Sequence, residues 1–307
     1  MKMFPEYIIE RKKDKMQIRK WKITVLILVV LALFLNARNF IGQAKISSGN
    51  DHIGLVLIED IIYEDGNRDK KLEEISEEER VKALIVYVNS PGGTVVGAER
   101  IYNILRKIAV KKPVVIVMGT LAASGGYLVS LGGDYIIAHN GTITGSIGVI
   151  LQTAEITELA EKLGIKFNNF KSGELKASPN LTEKLTDAMR QATMESVMDT
   201  YDFFVELVAK RRSIPLDEVK KLADGRVYIA KQALQLKLID AIGFEDDAVK
   251  WLQEVKGLSP ELKIKEIKLR SENKMLDLLY EDFGNMIPGF LRNKLQGITA
   301  TWGTNGY

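Results

Sequence analysis

VVIVMGTLAASGGYLVSL, residues 114–131, decides the fold. Val114–Met118 is apolar without alternation, as a strand is when both of its faces are buried. Ala122-Ala123-Ser124-Gly125-Gly126 is a turn of small residues, and Tyr127–Leu131 resumes with helical spacing. A buried strand, a glycine-rich turn and a helix make a fragment of a βαβ unit.

Working outward, the same alternation continues from His52 to about Leu269. Ile53–Ile58, Ala83–Val88, Tyr135–Ala138 and Ile147–Leu151 read as further strands. Leu72–Val81, Val95–Ala109, Ser124–Leu131, Glu155–Leu163 and Glu183–Arg211 read as helices, followed by Asp217–Leu222, Ala230–Leu236 and Asp246–Gln253. The fold class is α/β, a helix-covered sheet, with no tandem repeat of solenoid length.

The ends differ from this middle. Residues 1–22 hold eight Lys/Arg against three acids, although the whole chain of 307 residues carries only +3. Directly after them, Ile23–Leu35 (ITVLILVVLALFL) has no charge, Gly or Pro. Counted from Trp21 to Ala37, the stretch reaches the lower limit for a membrane span, with the Lys22 ammonium at the interface. A buried core helix fits poorly beside so basic a block. A cleaved secretory signal is the alternative, with Gly42-Gln43-Ala44 the nearest cleavage motif. The preferred reading is an uncleaved transmembrane signal anchor. Its basic end is cytoplasmic and everything after about Arg38 is extracytoplasmic, at the cell membrane. The expected organisation is a basic cytoplasmic segment (1–22), an anchor (23–37), a tether (38–51), a catalytic domain (52–270) and a tail (271–307). The tail reads as a short docking helix and a loose end, interrupted by Gly284 and Pro288.

Composition excludes several chemistries. With no cysteine there is no disulfide, thiolate metal site or thiol nucleophile, and His52 and His139 alone cannot build a His-rich metal site. The near balance of charge does not point to a nucleic-acid binder. No GxxxxGK[ST] or GxGxxG occurs, so a phosphate cradle is a poor reading.

What remains is three glycine-rich turns after strands: Asn89-Ser90-Pro91-Gly92-Gly93, Ala122–Tyr127, and Thr142–Gly148. In open α/β folds, sites form at the carboxyl ends of strands. Ser124, between small residues and ahead of a helix, fits a nucleophile whose oxyanion meets backbone N–H groups. A serine nucleophile needs a base. His139 reads as a strand-end residue and His52 as part of the tether junction, so a lysine or a carboxylate is left.

These residues resemble the signal peptide peptidase A (protease IV) family of serine proteases. The resemblance runs from about Gly54 to Phe244. It rests on NSPGG (Asn89–Gly93), AASGGY (Ala122–Tyr127), TGSIGV (Thr144–Val149), SGELKASP (Ser172–Pro179) and ADGRVY (Ala223–Tyr228). It implies a Clp-protease/crotonase-like βαβ superhelix. It also implies Ser124 as nucleophile, Lys176 as general base and Ser146 as the hydroxyl that orients the lysine. Gly92 or Gly93, with the N–H of Gly125, is implied as the oxyanion hole. A ring-shaped homo-oligomer follows, serine and lysine coming from adjacent copies, with no cofactor. Leu175, Ala177 and Pro179 are apolar neighbours suited to desolvate Lys176, whereas Lys166 and Lys171 read as solvated surface charges.

The function expected is a membrane-anchored serine endopeptidase with a Ser-Lys dyad, degrading cleaved signal peptides or similar membrane-derived peptides. A crotonase-like acyl-CoA enzyme and a non-catalytic membrane scaffold are the rival readings.

Overall fold

Both-sided burial explains the unbroken apolar strands. Ala83 and Ile85 enter one core layer with Ile53, Val115, Val117 and Ile137, while Leu84, Val86 and Val88 enter the other with Val56, Val114, Ile116 and Met118. The computed structural model that shows this describes Trp21, residues 50–269 and residues 299–301. Among the described residues no helix is long and apolar enough to cross a membrane. The anchor expected at 23–37 lies outside the described residues, as do the basic segment except Trp21, most of the tether, and residues 270–298 and 302–307.

The chain divides into two units, 1–50 and 51–307, and the elements belong to the second. In order they are β1 (His52–Glu59), α1 (Gly66–Glu77), β2 (Val81–Ser90), β3 (Gly92–Thr94), α2 (Val95–Lys111), β4 (Val114–Ala123), α3 (Gly125–Ser130), β5 (Tyr135–Ala138) and β6 (Ile143–Gly145). There follow α4 (Thr157–Lys162), α5 (Asp187–Arg212), α6 (Leu216–Leu222), β7 (Val227–Ile229), α7 (Ala230–Gln235), β8 (Ala241–Ile242), α8 (Glu245–Glu254), β9 (Lys263–Glu266) and β10 (Thr299–Thr301). The main sheet runs β7-β6-β4-β2-β1-β9, with β5 also on β4 and β8 on β5. Its neighbours are parallel except β6 and β7. The layer of Ile53 and Val115 is covered by Ala248 and Leu252 of α8, and the opposite layer takes Ile101, Leu105 and Ile108 of α2.

The central strand forks. Val115–Met118 of β4 pairs with β5, and Leu121–Ala123 pairs with β6. Thr142 holds the fork: its hydroxyl lies 2.6 Å from the Gly119 carbonyl and 3.2 Å from that of Met118. The Tyr87 hydroxyl fills the space beside Gly119, and a Cβ there would come within 2.4 Å of it, so a larger residue would have to displace that ring. The fork sends the end of β4 toward β6 and β7.

Several boundaries depart from the sequence reading. The helix read from Leu72 begins at Gly66, because the Asp65 carboxylate accepts from the Asn67 and Arg68 amides and starts it within a polar run. It ends at Glu77, and Val81 opens β2. Ile147–Leu151 is not a strand. The extended segment is Ile143–Gly145, ended by positive φ at Gly145 and Ser146. The long helix starts at Asp187 rather than Glu183, where the Thr186 hydroxyl caps Met189 N–H at 3.2 Å. In the tail, residues 299–301 form a strand on β3.

Thr142→Val should cost about 1–2 kcal/mol by removing the hydroxyl shared by two buried carbonyls. Urea unfolding checks this, and an unchanged midpoint would contradict a structural role for the fork.

Candidate active site

β4 runs through the core and ends at Ala123, so the next residue is delivered to a fixed point. That residue, Ser124, is 1% exposed and has φ +54° and ψ −118°, a conformation L-residues rarely adopt. Such strain costs on the order of 1–3 kcal/mol and persists only where the surroundings enforce it. Here the Ser124 N–H donates to the Gly145 carbonyl at 2.8 Å, and the Ser124 carbonyl accepts from Leu128 N–H at 2.9 Å, opening α3. The Ser124 hydroxyl makes no capping bond to that helix. A sharp turn from strand to helix is the geometry that presents a nucleophile at a sheet's end.

Ser146 repeats the device one strand over, with φ +48° and 7% exposure. Ala123 and Gly145 are register partners, so the two serines follow adjacent residues of neighbouring parallel strands. The Ser146 N–H donates to the Arg226 carbonyl at 2.8 Å. The ADGRVY stretch therefore backs the site: Asp224 pairs with Arg226, and the Tyr228 hydroxyl donates to the Leu222 carbonyl at 2.9 Å. A Cβ on Gly145 would sit 2.6 Å from the Tyr228 ring.

The NSPGG turn closes on α3 from the other side. A Cβ on Gly126 would lie 2.7 Å from the Ser90 carbonyl, so the close approach requires glycine. Ser90, fully buried, donates to the Asp60 carbonyl at 2.5 Å and accepts from Gly92 N–H at 3.1 Å. Gly92's amide is thus engaged within the turn. Ile62 N–H donates to the Gly92 carbonyl, and Thr94 N–H to the Ile62 carbonyl, both at 2.8 Å. Strand alternation then turns Gly93's N–H to the opposite edge. Along that edge β10 runs antiparallel, with Ala300 opposite Gly93. Sequence reasoning treated Gly92 and Gly93 as equivalent, and the Ser90 side chain is what separates them. Gly125 is the first residue of α3, where amides lack an intrahelical acceptor.

Lys176 stands apart. It is exposed in a turn closed by its own N–H to the Gly173 carbonyl at 3.1 Å. Among the described residues no hydrogen bond joins its amine to Ser124 or Ser146. Leu175 and Ala177 are exposed as well, so they do not desolvate it within one copy. Lys166 is exposed as expected. Lys171 is a correction: its ammonium is largely buried, bound to the Glu183 carboxylate and 3.0 Å from the Ser178 hydroxyl. That bond, more than the further ones from Asn169 and Asn180, holds the Glu183 carboxyl below its usual range. His139 packs its ring on Phe244 at 4.5 Å, and its Nε2 is buried with no hydrogen-bond partner in the structure. Among the described residues no three His, Asp or Glu gather as a metal site.

The chain matches peptidase family S49 over residues 106–259, a stretch that contains Ser124, Ser146 and Lys176. The chain belongs to peptidase family S49. A protease-named protein of Synechocystis sp. is 40% identical over 185 residues, 60% of this chain and 67% of that one. A protein of Enterococcus faecium named for signal peptide peptidase SppA is 36% identical over 235 residues, 76% of this chain and 63% of its own length. A protease-named protein of Methanocaldococcus jannaschii is 35% identical over 192 residues, 62% of each. The chain thus spans roughly two thirds of the length of these relatives.

Because the Glu183 carboxyl is held below its unfolded value, the link to Lys171 contributes fully above the ordinary carboxyl range of about 4.3 and is lost as pH falls through the folded value. Hydrogen exchange of residues 171–180 should therefore accelerate on acidification. Glu183→Gln should show the fast exchange already at neutral pH, and wild-type protection in that variant would contradict the clamp.

Proposed function

We propose that this S49 protein is a membrane-anchored serine endopeptidase, with Ser124 as nucleophile and Lys176 of a neighbouring copy as its base. The observation that carries the reading is the enforced positive-φ turn at Ser124, with Ser146 on the adjoining strand end and the Gly125 amide next in the chain at the start of α3. Glycine would take this positive-φ conformation without strain, so a serine kept there points to its hydroxyl.

The chemistry follows from the atoms present. The neutral Lys176 amine takes the Ser124 proton while Oγ forms a bond to a peptide carbonyl carbon. The carbonyl oxygen becomes an oxyanion, met by the N–H groups of Gly93 and Gly125. Collapse breaks the C–N bond, and the lysine's proton goes to the leaving amine. Water, deprotonated by the same amine, then bonds to the acyl carbon; the ester bond to Oγ breaks and the lysine's proton returns to Ser124 Oγ. Gly92 is not needed as a donor.

A lysine must be neutral to do this, which takes a setting that withdraws water from the amine. Exposed as it is in one copy, Lys176 has no such environment, which supports supply by a second copy. The exposed apolar side chains of the same region, among them Leu159, Leu163, Ile165, Phe167 and Phe170, fit burial against that copy. Assembly into a ring with a Clp/crotonase-like protomer is the arrangement we favour.

Peptide substrates fit the edge of β3 that β10 occupies. β10 lies there as an antiparallel strand, and a substrate in extended form would take the same place, its backbone read by Gly93. With the anchor at 23–37 and the domain on the extracytoplasmic side, cleaved signal peptides and similar membrane-derived peptides are the substrates within reach.

Ser124→Ala and Lys176→Ala should each abolish peptide hydrolysis without unfolding the protein. Co-assembled from equal amounts, the two inactive variants should regain about a quarter of wild-type activity, because random neighbours complete that share of sites. No recovery in verified mixed oligomers would place both residues in one copy or outside the mechanism.

A further inference from the structure

Asp69 is the only carboxylate in the buried class among the described residues, 2% exposed in the first turn of α1. It faces two guanidinium groups. Oδ1 accepts from Arg68 Nε at 3.0 Å and Nη2 at 2.7 Å, and Oδ2 accepts from Arg100 Nε, on α2, at 2.6 Å. The remaining Arg68 nitrogen, Nη1, donates to the Tyr63 carbonyl at 2.8 Å.

Tyr63 adjoins Ile62, and Ile62 is the residue that holds β3. Its N–H and carbonyl bond Gly92 and Thr94, and its carbonyl oxygen would lie 1.8 Å from a Cβ on Gly93. The next residue is tied down too. The Thr94 hydroxyl donates to the Glu64 carboxylate at 3.0 Å and accepts from Gly97 N–H at 3.1 Å. A Cβ on Gly97 would come within 2.8 Å of the Tyr63 carbonyl carbon. Residues 62–64 are therefore a thin strut pressed between α2 and β3, and the Asp69–Arg68 pair fixes it from behind.

Burying a carboxylate between two arginines is a poor way to gain stability. It is also not needed to seat α1, whose Leu72 and Ile75 already enter the core. What the cluster does supply is a rigid position. Arg68 is held in one rotamer by two bonds to Asp69, and its third nitrogen then sets where the Tyr63 carbonyl lies. We infer that Asp69 is a positioning residue for the peptidase reaction, fixing the Gly93 amide relative to Ser124 through Arg68, Tyr63 and Ile62. The inference rests on the serine-peptidase reading, in which Gly93 N–H meets the oxyanion. A donor displaced by part of an ångström still lets a peptide bind along β3, but it stabilises the tetrahedral state less.

The test compares the purified full chain with Asp69→Asn and Arg68→Lys on a fluorogenic apolar peptide. Asn keeps the shape of the carboxylate without its charge. Lys keeps a cation facing Asp69 but cannot hold Asp69 and Tyr63 together. Losing an oxyanion donor outright costs about 10²–10³ in kcat, so its displacement should lower kcat by roughly tenfold or more in Asp69→Asn. KM should stay within about twofold, as uniform binding is untouched. Arg68→Lys should show the same split with an unchanged thermal midpoint, which keeps the test decisive if Asp69→Asn folds poorly. Equal kcat in folded Arg68→Lys and wild type would overturn the inference, as would a parallel change in kcat and KM. A wild type that hydrolyses the peptide through Ser124 while both variants match it sinks the inference alone. A wild type with no turnover and no acylation at Ser124 sinks the serine-peptidase reading and the inference with it.

Discussion

One hydrogen bond, from the Ser124 N–H to the Gly145 carbonyl, holds together what the rest of the structure builds. It forces a serine into a left-handed turn at the end of β4, and the strain is tolerable only because both flanks are fixed. On one side β4 is locked in the core by pairing with β2, β5 and β6. On the other, α3 is pinned by the Tyr127 hydroxyl, which donates to the Leu238 carbonyl at 2.9 Å, and by Arg211 on the Leu131 and Gly133 carbonyls. Burial pushes the Tyr127 phenol far above its usual range, so it remains a neutral donor at any physiological pH. The fork at Thr142 is what brings β6, and with it Gly145 and Ser146, to the place where that bond can form.

The surroundings of the serine divide into a finished part and an unfinished part. Ser124, Ser146 and the Gly92–Gly93 turn are buried in a single copy, each held by bonds of its own: Ser124 to Gly145, Ser146 to Arg226, and the turn to Ser90 and Ile62. The Lys176 segment is exposed, carries bare apolar side chains, and is shaped locally by the Lys171–Glu183 link. That asymmetry is the physical reason to look for the base on a second copy. Within that segment the Lys171–Glu183 ion pair, joined by Ser178, is the bond that ties residues 171–183 together.

Much of this was legible in the residues, for reasons that can be named. Ala83–Val88 and Val114–Met118 read as strands because both faces are covered, which removes the polar alternation. Ser124 and Ser146 were visible through AASGGY and TGSIGV, where small residues mark close backbone approach. Ile147–Leu151 misled because an apolar run looks like a strand whatever its backbone does, and the positive φ of Ser146 ends the ladder just before it. Gly66–Lys71 was missed because its helical start depends on a cap, Asp65, rather than on periodicity. β9, Lys-Ile-Lys-Glu, has no apolar run at all, since it is an exposed edge. Asp69 and Lys171 left no local trace: the first reads as one acid in a charged stretch, and the second is buried only because Glu183, twelve residues on, folds back to it. The anchor at 23–37 is a sequence-level inference that lies outside the described residues.

The central claim is that Ser124 is a nucleophile activated by its setting. Peptide-mapping mass spectrometry of the full-length protein after reaction with a fluorophosphonate tests it most directly. A single phosphonyl adduct on Ser124 is the predicted result. An unmodified Ser124 in folded, assembled protein, or an adduct on another serine in its place, would contradict the account.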